Sequence, residues 1–124
     1  MPVRLLLVDD SDVYRSTMEL LLARQPGLEV VASVPDGPGA LRACEERNVD
    51  LVLLDYRLPG ADGTELTRTL VAAHPGLSIL CLTAEASTDE REAVRAAGAV
   101  GVVEKGSLDD LLRAIREASR PGES

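Results

Sequence analysis

Apolar residues fall into five short runs that begin near Val3, Leu28, Leu51, Ser78 and Val100, and the gaps between them have helical spacing. The first run, Val3 to Val8, is continuous apart from Arg4. Asp9-Asp10-Ser11-Asp12 follows, with acids and a hydroxyl suited to capping a helix that runs to about Gln25, where Pro26-Gly27 ends it. Leu28 to Val34 predicts the second strand, Asp36-Gly37-Pro38 a turn, and Ala40, Leu41 and Cys44 a modest apolar stripe on the second helix. The third run, Leu51 to Leu54, is unbroken, as expected of a central strand covered on both faces, and it stops on the carboxylate of Asp55. Pro59-Gly60 and Asp62-Gly63 mark a tight loop, and a third helix with Leu66, Leu70 and Ala73 on one face ends at Pro75-Gly76.

Ser78 to Thr83 reads as the fourth strand. The helix after it is the weakest element. Val94 is its only large apolar residue from Thr88 to Ala97, so Glu85 to Gly98 is expected to be the most mobile ordered part. Val100 to Glu104 reads as the fifth strand, and Ser107 caps a helix carrying the clearest amphipathic stripe, Leu108, Leu111, Leu112 and Ile115. Residues 1–119 form one domain on this reading, and Arg120 to Ser124 a frayed tail or the start of a linker. Strict βα alternation requires a parallel sheet with helices on both faces and right-handed crossovers, so the fold class is α/β, a doubly wound (βα)5 unit. The order of the strands is not legible from periodicity.

Composition narrows the function classes. A length of 124 residues with 45% hydrophobic content allows one sizeable core and no second domain. Tyr14 and Tyr56 are the only aromatics and the formal charge is -8, so neither a stacking platform nor a basic surface for nucleic acid is present. The apolar stretches are strand-sized and the amino terminus lacks signal-peptide regions, which points to a cytoplasmic protein with no membrane role. Cys44 and Cys81 lie in apolar patterns and read as small core residues, and His74 as a cation near a helix end.

Asp9, Asp55, Thr83 and Lys105 each fall at the carboxyl end of a separate strand, and Asp10 follows Asp9 directly. Ligands bind beyond those ends in open parallel sheets, so topology alone gathers these residues at one edge, with Asp55 as the candidate reactive group. A cap or a turn accounts for each acid taken singly, but caps do not explain Asp55 together with Lys105. Clustered carboxylates stay ionised near neutral pH only when a cation offsets them, and hard oxygen donors suit Mg²⁺. Lys105 is the only lysine beside twelve arginines. A compact ammonium differs from a planar guanidinium, and it fits a small site holding a phosphoryl oxygen and a carboxylate.

With Val8-Asp9-Asp10, Leu54-Asp55, Pro59-Gly60, Asp62-Gly63, Thr83-Ala84 and Lys105 in place, the chain resembles the receiver domain of bacterial two-component response regulators over nearly its full length. The resemblance implies a flavodoxin-like sheet of order 2-1-3-4-5 and a phosphoacceptor role for Asp55, supplied by a sensor histidine kinase. It also implies Mg²⁺ held by Asp9, Asp10, Asp55 and the backbone carbonyl of Arg57. Thr83, Lys105 and the amides of Arg57 and Ala84 are implied to receive the phosphoryl oxygens. A DNA-binding output domain outside this chain and homodimerisation on phosphorylation are compatible with it.

Three departures from the family pattern stand out. Val102 occupies the place of a Tyr or Phe that acts as a switch together with the threonine. Gly106 follows the lysine where most receivers have Pro, a feature of the subfamily whose receivers precede a helix-turn-helix domain. A trans peptide is expected there, with glycine bending the chain through positive φ. Arg57 and Glu85 stand where the family tunes access of the hydrolytic water. Two other classes compete: a pseudo-receiver that binds partners without phosphorylation, which predicts a damaged acid pocket, and an α/β metal-dependent phosphohydrolase, which calls for a second acid where Arg57 stands.

Overall fold

A computed structural model describes residues 2–119, so the tail expected from Arg120 to Ser124 lies outside the described residues. Five strands, β1 (Val3–Val8), β2 (Leu28–Val34), β3 (Leu51–Asp55), β4 (Ser78–Thr83) and β5 (Gly101–Glu104), form one parallel sheet of order β2-β1-β3-β4-β5. The helices between and after them are α1 (Asp12–Ala23), α2 (Gly37–Glu46), α3 (Gly63–Ala73), α4 (Thr88–Ala96) and α5 (Leu108–Ala118). This is the flavodoxin-like order that the family resemblance implied.

Successive strand residues point to opposite faces, which explains why the central strands are apolar throughout. Leu5, Leu7, Leu51, Leu53, Leu80 and Leu82 pack with Met18 and Leu22 of α1 and with Leu111, Leu112 and Ile115 of α5. Leu6, Val8, Val52, Leu54 and Ile79 face the other way, onto Ala40 and Ala43 of α2 and Leu66 and Leu70 of α3. A third, smaller cluster holds α4, where Val94 is the sole buried residue, against Tyr56, Cys81 and Ala99, with Val102 beside them.

Several boundaries and faces differ from the sequence expectation. Helix α1 stops at Ala23, because Gln25 donates to the Leu22 carbonyl in a tighter turn before Gly27 reverses the chain. On α2 the buried pair is Ala40 and Ala43, with Leu41 and Cys44 only half-buried at the side of the stripe. On α3, Thr67 is buried and Ala73 exposed. Strand β5 starts at Gly101, and Val100 is 49% exposed although its amide donates to the Ile79 carbonyl. The Lys105-Gly106 peptide is trans and Gly106 has φ 120°, the glycine-permissive turn that was expected.

Candidate functional site

The strand ends carry the site. Backbone bonds continue the sheet one residue past its edge: the Asp9 amide donates to the Val34 carbonyl (3.1 Å), Tyr56 to Leu82 (2.8 Å) and Lys105 to Thr83 (2.7 Å). Asp9, Asp55, Thr83 and Lys105 are therefore brought to one edge. After Asp55 the chain forms a small antiparallel hairpin, Arg57–Leu58 with Ala61–Asp62, so the expected loop is more regular than its Pro and Gly content suggested. Gly63 closes it by donating to the Tyr56 carbonyl at 2.7 Å, and a Cβ there would stand 2.9 Å from Tyr56 Cα.

Asp9 and Asp55 are buried and Asp10 is exposed, and the three offer carboxylate oxygens that all lie within 4.8 Å of one another. Asp9 Oδ1 accepts from the Ser11 amide at 2.9 Å, and its Oδ2 accepts from Lys105 Nζ at 2.6 Å. The ammonium stands farther from Asp55 Oδ1, at 3.6 Å, and that same oxygen accepts from the Arg57 amide at 3.3 Å. Burial raises the Asp55 carboxyl above its ordinary range, the charge of Asp9 adds to this, and Lys105 and the Arg57 amide oppose it. For Lys105, burial disfavours the ammonium, but the bond to Asp9 and the charges of Asp55 and Asp9 outweigh it and raise its pKa. The set of hard carboxylate oxygens around a shared point, one of them open to solvent, fits Mg²⁺.

Thr83 is buried, and its hydroxyl both donates to the Glu85 carbonyl (2.9 Å) and accepts from the Glu85 amide (3.1 Å), tying the start of the loop before α4 to the end of β4. Ala84 and Glu85 are exposed at that exit. Val102 is half-buried and packs against the small cluster of Tyr56, Cys81, Val94 and Ala99.

Ser11 caps α1 as its hydroxyl suggested, accepting from the Tyr14 amide at 3.1 Å. Three residues without an assigned role in the sequence also belong to this edge. Arg15 donates to the Asp9 carbonyl and to Asp12 Oδ1, both at 2.6 Å. Tyr14 places its ring under Lys105, with Nζ 4.3 Å from the centroid. Glu90, on the first turn of α4, pairs with Arg57 at 3.2 Å. Helical spacing from Tyr14 to Met18 and Leu22 put Tyr14 on the inner face, but nothing local to it names Lys105 as its neighbour.

The family model of the response regulator receiver domain matches residues 5–116. The chain belongs to that family. It is 35% identical over 115 residues to "Response regulator GacA" of Pseudomonas viridiflava, covering 92% of this chain and 54% of that protein. A protein-glutamate methylesterase/protein-glutamine glutaminase of Anaeromyxobacter dehalogenans is 35% identical over 133 residues, covering 98% of this chain and 36% of that one. The crystal structure of a LuxR-family two-component response regulator from Aurantimonas superposes with a TM-score of 0.89 at 34% identity, over 94% of this chain and 84% of that one. The chain spans about half the length, or less, of these curated relatives. As a receiver it is a phosphoacceptor signalling domain of a two-component system. Among the described residues, no helix is long and apolar enough to cross a membrane.

Proposed function

We propose that the receiver, residues 1–119, takes its phosphoryl group on Asp55 from the phosphohistidine of a sensor kinase in the cytoplasm. The observation that carries this reading is the setting of the Asp55 carboxylate: buried at the end of the central strand, with the Lys105 ammonium 3.6 Å away and the Arg57 amide on one oxygen. An Asp55 oxygen attacks phosphorus in line as the bond from phosphorus to the imidazole nitrogen breaks, and the imidazole leaves with that electron pair. Lys105 and the amides of Arg57 and Ala84 receive the phosphoryl oxygens, and Thr83 turns its hydroxyl from Glu85 toward them. Asp9, Asp10, Asp55 and the carbonyl of Arg57 are the groups that would hold Mg²⁺, whose chemistry when bound is to offset the charge of those oxygens.

The intact acid pocket argues against a pseudo-receiver, and Arg57 in place of a second acid argues against a phosphohydrolase. The chain has no turnover of its own on this reading beyond slow hydrolysis of the acyl phosphate, with Arg57 and Glu85 setting the access of water and Val102 leaving Thr83 as the main switch residue. The greater length of the curated relatives, one of them named a transcriptional regulatory protein, supports an output domain outside this chain; on this reading it binds DNA, and homodimerisation on phosphorylation is its trigger. Intact-mass measurement after incubation with acetyl phosphate and Mg²⁺ tests the central step. Wild type gains one phosphoryl group and Asp55→Asn none; a variant that is still labelled removes Asp55 as the acceptor.

A further inference from the structure

Tyr14 is one of two aromatic residues in the chain and Lys105 its single lysine, and the fold sets one directly against the other. We propose that Tyr14 is a positioning residue for phosphoryl transfer, its ring face holding the Lys105 ammonium where it meets the oxygens carried by Asp55. This rests on the reading of Lys105 as a phosphoryl partner.

The ring is fixed more firmly than the lysine. The first turn of α1 is bound to the Asp9 segment by the Ser11 amide on Asp9 Oδ1, by the Ser11 hydroxyl under the Tyr14 amide, and by Arg15 on the Asp9 carbonyl. Tyr14 also packs against the core face shared by α1 and α5. Its position relative to the carboxylates is thereby set by a helix cap and by burial. The Lys105 backbone is held by its amide on the Thr83 carbonyl, but its ammonium is reached only through a long side chain. Its stem leaves the end of β5 just before the Gly106 turn, and it has four rotatable bonds to immobilise.

The ammonium has three neighbours: Asp9 Oδ2 at 2.6 Å, Asp55 Oδ1 at 3.6 Å and the Tyr14 centroid at 4.3 Å. Only the ring is outside the carboxylate cluster. A carboxylate that holds a cation also accepts its protons and cancels its charge. An aromatic face attracts the cation through its quadrupole while leaving the ammonium protons free for an oxygen acceptor. Tyr14 thus restrains Lys105 without competing for the donor that the phosphoryl group needs.

Three measurements test this. In wild type, the ring current of Tyr14 should shift the Lys105 ε-methylene protons upfield; unshifted protons overturn the proposal whatever the variants do. Tyr14→Leu should keep the packing, lose the upfield shift and slow Asp55 labelling by acetyl phosphate by roughly fivefold, the size expected of a partly desolvated cation–π contact. Tyr14→Phe should restore both the shift and the rate. In a Lys105→Ala background, Tyr14→Leu should have no further effect on the rate, because the two residues act as one unit. An equal loss in that background means that Tyr14 acts through the packing of α1, and the proposal falls. If wild type is not labelled at all, the phosphoacceptor reading fails, whereas the ring-current shift still decides where Lys105 is held.

Discussion

Arg57 and Glu90, 33 residues apart, form an ion pair at 3.2 Å, and the second oxygen of Glu90 accepts from the Ser87 amide at 3.0 Å. Glu90 is therefore both half of the capping box on α4 and the partner of the residue two positions beyond Asp55. Arg91 beside it pairs with Glu104 at 3.1 Å, the residue before Lys105. Helix α4 has Val94 as its one buried side chain, in the small cluster with Tyr56, Cys81 and Ala99, and these polar contacts add to that anchor by linking it to segments that flank the site.

Glu90→Ala removes the side-chain half of the capping box and the ion pair together while the Ser87 hydroxyl still caps the helix, and it should speed amide exchange across Thr88 to Ala96 while α5 is unaffected. Arg57→Ala leaves the capping box in place and should have the smaller effect. In wild type, α4 should already exchange faster than α5, which buries Leu111, Leu112 and Ile115. Hydrogen exchange read by mass spectrometry checks the order, and equal protection of the two helices would contradict it.

Lys105→Arg keeps the charge but changes its shape. A guanidinium is broader than an ammonium, so it should not fit between Asp9 and Asp55 without displacing the turn at Gly106. Phosphorylation of Asp55 should persist, while the beryllofluoride-induced chemical-shift changes in α4 and α5 are largely lost. One charge-assisted hydrogen bond of about 1.5–3 kcal/mol is comparable to the population shift at stake. Equal shift changes in wild type and variant would mean that charge alone suffices.

Gly63→Ala puts a methyl group 2.9 Å from Tyr56 Cα and 3.0 Å from its ring. The backbone on one side cannot yield cheaply, so the variant should lose about 1–3 kcal/mol of stability in urea denaturation. Its labelling by acetyl phosphate should also slow, because the strained hairpin carries the Arg57 amide that reaches Asp55 Oδ1. A variant as stable as wild type would show that the hairpin moves freely away from Tyr56.

Burial, followed by the nearby charge of Asp55, pushes the Cys81 thiol from its ordinary 9.0 up to about 12. At pH 8 Cys81 should resist iodoacetamide in the folded protein, whereas the half-buried Cys44 reacts first. Because the folded value is the raised one, this contribution to stability is complete below pH 9 and is lost as pH climbs toward 12: the unfolded chain releases the proton first, and stability falls by about 1.4 kcal/mol per pH unit within that window. Denaturation of wild type and Cys81→Ala from pH 8 to 11 checks the sign. A stability difference that does not change with pH would contradict it.

Strand ends are local properties, and the chain declared them. Leu51 to Leu54 had to be a strand covered on both faces, and its abrupt stop at Asp55 placed a carboxylate where a parallel sheet presents its ligands. The same logic placed Asp9, Thr83 and Lys105 at one edge and marked α4, with Val94 alone, as the weakly held helix. Strand order came from motifs shared with a family, because periodicity carries no information about which strand neighbours which.

Contacts that depend on the angle and height of packed helices were decided only in three dimensions. Glu90 reads in the chain as an ordinary first-turn acid and Tyr14 as an inward-facing aromatic; their partners, Arg57 and Lys105, lie far away in sequence. The choice of Lys105 between Asp9 at 2.6 Å and Asp55 at 3.6 Å is of the same kind. Residue type and spacing determine which face of an element is buried, since that follows from its repeat. Which groups then meet across the edge depends on how the elements settle against a shared core, and that geometry is set jointly by side chains from every strand and helix.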